Sequence, residues 1–246
     1  MDHVGSLLWT TMAYPSFMAN RTVVISGGTG ALGQAVVRRF LASDDRVIVP
    51  WIVKREVEVI EATYADALRG QKLVLVEADV AEDTGATRVA KAAGTAEVLV
   101  NGVGGYGGGK PLHETELELW DRMYRMNVRT AVALARALLP GMLARGRGLV
   151  VNVGSRAALD LPAGLSAYAA VKGAVLSLSE ILQKEVGERH VRVNTIVPTT
   201  IDTPANRAAM PNADFSHWTP PAAIAEVIHW LASDAGATVR GALVPV

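Results

Sequence analysis

Thr22-Val-Val-Ile-Ser-Gly-Gly-Thr-Gly-Ala-Leu-Gly33 is the stretch on which the reading of this chain turns. Its first five residues, rich in β-branched side chains, read as a buried strand, and an amphipathic pattern starts near Ala31. Between them fall four glycines in seven residues. Glycine at such a junction permits a tight turn and a close backbone approach to a pyrophosphate, whose charge the following helix N-terminus stabilises. An ordinary strand-to-helix turn is the alternative, and the glycine density weighs against it. The loop can be read in two registers, Gly27, Ala31 and Gly33 or Gly27, Gly30 and Gly33, with Thr29 and Leu32 carried along as candidate cofactor contacts.

Outward from this loop, short apolar runs alternate with longer amphipathic ones, the pattern of a parallel sheet covered by helices. Strands are expected near Thr22–Ser26, Arg46–Trp51, Leu73–Ala78, Val98–Asn101, Leu149–Gly154, Val191–Val197 and Leu243–Val246. Leu117–Leu143 reads as a long helical stretch with Pro140 near its end, and Ser166–Val186 as another helix. With no internal repeat, low-complexity tract or linker, residues 21–246 read as one α/β domain: a doubly wound, Rossmann-type, mostly parallel seven-stranded sheet with helices on both faces.

Composition narrows the function classes. Half of the 246 residues are hydrophobic and 20% are charged, and 24 lysines plus arginines balance 24 aspartates plus glutamates. No net field draws the chain to nucleic acid or to an anionic membrane, and neither partner is expected. Cysteine is absent, which excludes disulfides and thiolate zinc sites and makes a reducing, cytoplasmic setting the simplest expectation. The five histidines are scattered without metal-ligand spacing, so no metal is expected. No apolar run approaches the roughly 18 residues of a membrane span. Met1 to Ala19 carries Asp2 where a secretory signal would want positive charge. Residues 1–20 are therefore expected to be a loose, disordered extension, or an artefact of start-site choice with Met18 as the true beginning.

A dinucleotide fold usually places an acid about 20 residues after the loop, at the end of the second strand, to hold the adenosine ribose. Here that place holds Trp51, Ile52 and Val53, then Lys54 and Arg55, while Asp44 and Asp45 lie at the strand's other end. Two cations that could pair with a 2′-phosphate, and no carboxylate, lean the expectation from NAD towards NADP. Asp79, with Val80 beside it, follows the third strand, placed to hydrogen-bond an adenine amino group or to cap the next helix. The fourth strand runs into Asn101-Gly-Val-Gly104 and then Gly105-Tyr-Gly-Gly-Gly109, where glycine either lets the backbone pass close to a flat ligand, with Asn101, Gly102 and Val103 as candidate cofactor contacts, or makes a mobile loop. Asn127 sits inside the long helix, a poor place for asparagine unless it has a task.

Tyr168 and Lys172 lie four positions apart on the expected helix, on one face, and Ser155 stands 13 residues before Tyr168 at a strand end. A free tyrosine has a pKa of about 10, too high for an efficient base near neutrality, and a neighbouring ammonium favours the charged form. A serine hydroxyl can donate to an oxygen that becomes negative as hydride arrives.

With Ser26–Gly33, Asn101–Gly104, Asn127, Ser155, Tyr168, Lys172 and Asn194–Pro198 in view, the chain resembles the short-chain dehydrogenase/reductase family from Arg21 to its end. The resemblance implies that Tyr168 is the general acid or base, that Lys172 binds the nicotinamide ribose and favours ionised tyrosine, and that Ser155 orients the carbonyl. It implies that Asn127 holds a water in the proton relay, and that Pro198, Ile201 and Thr203 meet the nicotinamide carboxamide. It also implies a homo-oligomer, dimer or tetramer. Departures are Ala31 for the middle glycine, Gly102 for a frequent second asparagine, Thr199 for a glycine, and the absence of a short glycine-containing tail after Val246.

The expected activity is hydride transfer between NAD or NADP and a small-molecule carbonyl or secondary alcohol. One alternative is the branch of the family that acts on nucleotide sugars, suggested by the second loop register but needing a larger C-terminal domain than the 48 residues after Pro198. Another is a non-catalytic nucleotide sensor, whose usual sign, loss of the tyrosine or lysine, is missing here. Residues 203–219 read as a substrate lid in which Phe215 and Trp218 either line a partly apolar pocket or anchor the loop.

Overall fold

The computed structural model describes residues 20–246, so the extension expected over residues 1–20 lies, apart from Asn20, outside the described residues. The strands are β1 (Thr22–Ser26), β2 (Arg46–Trp51), β3 (Leu73–Glu77), β4 (Ala96–Asn101), β5 (Gly148–Val153), β6 (Val191–Val197) and β7 (Leu243–Pro245). They form one sheet in the order β3-β2-β1-β4-β5-β6-β7, and every pairing is parallel. The order reverses direction between β1 and β4, which opens a crevice at their carboxyl ends.

Helices cover both faces. They are α1 (Ala31–Leu41), α2 (Lys54–Thr63), α3 (Ala65–Arg69), α4 (Asp83–Ala93), α5 (Leu117–Tyr124), α6 (Thr130–Arg145), α7 (Ala157–Asp160), α8 (Ser166–Val186), α9 (Pro204–Ala209) and α10 (Pro221–Leu231). Alternation along each strand sends Val24, Leu99 and Val150 into one core with α4 and α6, and Val23, Ile25, Val100 and Val151 into the other with α1 and α10. A third cluster, Met123, Val128, Ala167, Val171 and Val175, packs α5 against α8. Residues 199–246 supply a short excursion, α10 and β7, all built onto this sheet rather than into a separate domain.

The helical stretch expected over Leu117–Leu143 is interrupted. Residues Arg125–Arg129 form a π-helical turn between α5 and α6. The Asn127 side-chain amide donates to the Met123 carbonyl at 3.0 Å, and the Thr130 hydroxyl donates to the Met126 carbonyl at 2.8 Å. Side chains thus supply donors to carbonyls that an ordinary α-turn would satisfy with backbone N–H groups.

Several polar residues that stand out in the sequence hold the frame. Asp45, at the wrong end of β2 for a ribose, accepts from Arg21 through both carboxylate oxygens, at 3.0 and 2.7 Å, and from the Arg21 backbone N–H at 3.1 Å. Both residues are buried, and Arg21 also donates to the Ala232 carbonyl beyond α10. Asp45→Ala would leave a buried guanidinium without its carboxylate, so a loss of roughly 3–5 kcal/mol is expected in urea denaturation. A loss under about 1 kcal/mol would contradict this account. Asn194 pins the segment before β7 by donating to the Val239 carbonyl and accepting from the Ala242 N–H, both at 3.0 Å.

Candidate active site

The crevice between β1 and β4 holds a cavity of about 320 Å³. Of the residues expected to contact a cofactor, Gly27, Thr29, Gly30, Trp51, Asp79, Val80, Gly102 and Val103 line it. Gly27 has φ +71°, and a Cβ there would lie 2.7 Å from the carbonyl carbon and oxygen of Gly102. The two glycine segments therefore touch backbone to backbone, tied further by Ser26, whose hydroxyl accepts from the Gly102 N–H at 3.2 Å. Gly33 sets the helix against the turn, since a Cβ there would overlap the Gly27 carbonyl oxygen and reach within 2.6 Å of Gly28 Cα. Ala31 and Leu32 begin α1 behind the loop, whose N-cap, Gly30, carries no side-chain cap, and α1 has no acid in its first turn. An open cradle at Gly30 and uncapped helix N–H groups suit a pyrophosphate.

Other expected contacts fall elsewhere. Asn101 ends β4 and donates to Asn152 at 2.8 Å, and Asn152 donates to Ser179 at 2.7 Å, so this amide works inside the sheet and against α8. Asp79 is held by two partners: one oxygen accepts from the Ala81 N–H at 2.9 Å and the other from Arg125 at 2.6 Å. It does not cap α4, whose N-cap is Glu82. Lys54 lies on the exposed start of α2 and does not line the cavity, although Ile52 and Val53 just before it do. Glu56, one turn further into α2, lines it instead, as does Arg125. Neither has a sequence signal, since both reach the cavity only through the placement of their helices.

The polar quartet lies past the far end of the glycine segment. A Cβ on Gly104 would lie 2.8 Å from Asn127 Oδ1 and 3.3 Å from Lys172 Nζ, so both polar ends press on the loop that closes the cavity. Asn127 is buried, its amide donating to the Gly105 carbonyl at 3.1 Å and its oxygen accepting from the Gly105 N–H at 3.3 Å. A solvent-facing asparagine is thereby excluded. Lys172 is buried on α8 and donates to the Val153 carbonyl at 2.9 Å, with Nζ 6.0 Å from the centroid of the Tyr168 ring. Ser155, just beyond β5, is also buried and accepts from the Ala157 N–H at 3.2 Å.

Burial raises the Tyr168 phenol above its usual value, the Ser155 hydrogen bond opposes the rise, and the Tyr106 phenol adds to it. The lowering anticipated from Lys172 does not prevail, because its ammonium is turned to the Val153 carbonyl and is itself desolvated. Burial pushes Lys172 down to about 8 from the ordinary 10.5. Between those values the folded chain holds fewer protons here than the unfolded chain, so this group's contribution to stability rises with pH. Lys172→Met is therefore expected to be more stable than wild type at pH 7, with the gap in urea midpoint closing towards pH 10; a constant gap would contradict this.

Tyr106, which the sequence offers only as part of a glycine-rich loop, places its ring edge-to-face against Tyr168 at 5.1 Å and is largely exposed. Beyond β6, Pro198 accepts from the Arg156 N–H, Ile201 pairs with Thr219, and Thr203 caps α9 by accepting from the Asn206 N–H at 3.1 Å. Phe215 and Trp218 pack with their rings tilted by 56° and centroids 4.6 Å apart, and Arg207 lies over Phe215. His217 is exposed, 3.9 Å from Asp214. Among the described residues no cluster of metal-ligating side chains forms, and no helix is long and apolar enough to cross a membrane.

Known proteins show the same arrangement of chain. The profile of the short chain dehydrogenase family matches residues 21–214. A 2-(R)-hydroxypropyl-CoM dehydrogenase from Xanthobacter autotrophicus is 36% identical over 192 residues, covering 75% of this chain and 76% of its own. A meso-2,3-butanediol dehydrogenase from Serratia marcescens is 28% identical over 240 residues, covering 92% and 93%. The crystal structure of a blue fluorescent protein from a metagenomic library, in complex with NADPH, superposes with a TM-score of 0.82 at 26% identity, over 93% of this chain and 96% of that one. The fold and these likenesses agree, and the chain belongs to the short-chain dehydrogenase/reductase family of oxidoreductases.

Proposed function

We propose that this enzyme moves hydride between a nicotinamide dinucleotide and a ketone or secondary alcohol, with Tyr168 as the general acid or base. One observation carries the reading: buried Asn127 and Lys172 meet Gly104 at the edge of the cavity that Gly27 and Gly30 also line, with half-buried Tyr168 and buried Ser155 next to them. When bound, the nicotinamide supplies hydride in reduction and accepts it in oxidation. Gly27, Gly30 and the α1 N-terminus would hold the pyrophosphate, and Pro198, Ile201 and Thr203 would border the carboxamide. Ser155 donates to the substrate oxygen, and Tyr168 gives that oxygen its proton or removes it. Lys172 stands behind Tyr168 at the ribose side, and Asn127 keeps the loop at Gly105 in place beside a water of the relay.

The named relatives act on small hydroxylated substrates, which supports a secondary alcohol or its ketone here. Tyr106 against Tyr168 and the Phe215–Trp218 pair support a partly apolar pocket under the segment 203–219. A reducing setting and a homo-oligomer fit this reading. The test is a panel of ketones and secondary alcohols followed by nicotinamide absorbance. Turnover of some members is expected, and cofactor binding without turnover on any would favour the nucleotide sensor instead.

A further inference from the structure

We propose that Tyr106 is a substrate-binding residue whose ring packs on a substituent of the reacting carbon, and that this substituent is aromatic. The inference rests on the hydride-transfer reading above and names the substrate class for that site: aryl ketones and the matching secondary alcohols.

The backbone fixes where this side chain points. On one side Asn127 holds both the N–H and the carbonyl of Gly105, at 3.3 and 3.1 Å, and on the other the Gly109 N–H donates to the Gly164 carbonyl at 2.8 Å. Between these ties Gly107 lies against Leu119 and Met123 of α5, and Gly108 against Gly164 and Leu165 before α8. Only Tyr106 carries a side chain in residues 105–109. The glycine run is therefore a bracket pinned at both ends that presents one ring.

That ring is 68% exposed, yet it sits edge-to-face on Tyr168 with centroids 5.1 Å apart and planes inclined by 63°. To exchange a proton, a substrate oxygen must come within about 3 Å of the Tyr168 hydroxyl. A substituent two bonds from that oxygen then lies within reach of a ring seated directly on Tyr168. Aromatic pairs favour edge-to-face and offset stacks, so a third ring against Tyr106 extends the arrangement already present and covers the exposed face. An aliphatic substituent gains only the buried area. A carboxylate there gains little from Lys172, which is buried and donates to the Val153 carbonyl.

Initial rates with acetophenone and with acetone, NADH and NADPH both supplied, test the assignment. Wild type is expected to show a kcat/KM at least about tenfold higher for acetophenone. Tyr106→Ala removes the ring from an exposed position and should lower the acetophenone-to-acetone ratio by at least about tenfold, with the fall in KM; Tyr106→Phe should keep it within about threefold. Because the ratio is taken within one preparation, a change in the folded fraction does not move it. A wild-type preference for acetone, an unchanged ratio in Tyr106→Ala, or an equal fall in Tyr106→Phe would overturn the inference and leave the hydride-transfer reading standing. Turnover of neither ketone by wild type would also overturn it, and the wider panel above then decides the hydride-transfer reading by itself.

Discussion

Tyr168→Phe is expected to lower kcat by about 10³-fold, within the 10²–10⁴ that a positioned proton-transfer group contributes, and to leave cofactor affinity within a factor of about two. The reasoning starts from geometry. The phenol is set by α8 against Ser155, whose own position follows from the end of β5, and Lys172 is locked one helical turn away by the Val153 carbonyl. Removing one oxygen leaves the ring, its edge-to-face contact with Tyr106 and the helix unchanged. The substrate oxygen then loses its proton source while the nucleotide cavity keeps all of its lining. Stopped-flow turnover and fluorescence titration on the same preparation separate the two effects. A variant that turns over within tenfold of wild type would remove Tyr168 from the proton-transfer role.

Gly33→Ala should abolish measurable cofactor binding and cost about 3 kcal/mol of stability, the upper end of the usual penalty for overpacking. Alanine's single methyl group would overlap the Gly27 carbonyl oxygen and crowd Gly28 Cα, all backbone atoms that no rotamer change can move. To fit it, α1 must withdraw from the turn. That withdrawal carries Gly30 and the helix N–H groups away from the cavity. Neighbouring Gly30 offers an internal control, since a Cβ there meets only the Gly27 carbonyl at 3.4 Å and should fold normally. Urea midpoints and NADH titration check both variants; wild-type binding by Gly33→Ala would show that the loop is not the phosphate cradle.

How much of this was legible beforehand differs by residue and for physical reasons. The seven strands fall within two residues of their expected bounds at each end, because buried parallel strands are short apolar β-branched runs between turn residues. The expected helix Ser166–Val186 has those same bounds. Tyr168, Lys172 and Ser155 were legible because helical periodicity and a strand end determine where they point. Glu56 was not, since a surface glutamate in an amphipathic helix looks like any other until α2 is docked beside the glycine loop. Tyr106 was hidden inside a run of glycines, which carries no periodicity from which a ring's direction can be read. Asp45 stands at the wrong end of β2 for a ribose, which the sequence shows, but its partner lies 24 residues upstream, and such pairing is invisible without the sheet.

The widened turn at Arg125–Arg129 has a consequence for how this helix tolerates change. An α-helix advances about 100° per residue, so a single surplus residue offsets the phase of everything after it by about that angle. On one side of the offset, Met123 faces α8; on the other, Leu134, Leu138 and Met142 face the sheet. The two segments are one continuous shaft with two keyways cut at different angles. Losing one residue here would realign the keyways and take Asn127 from Gly105, whereas exchanging side chains along the outer face would leave both seated.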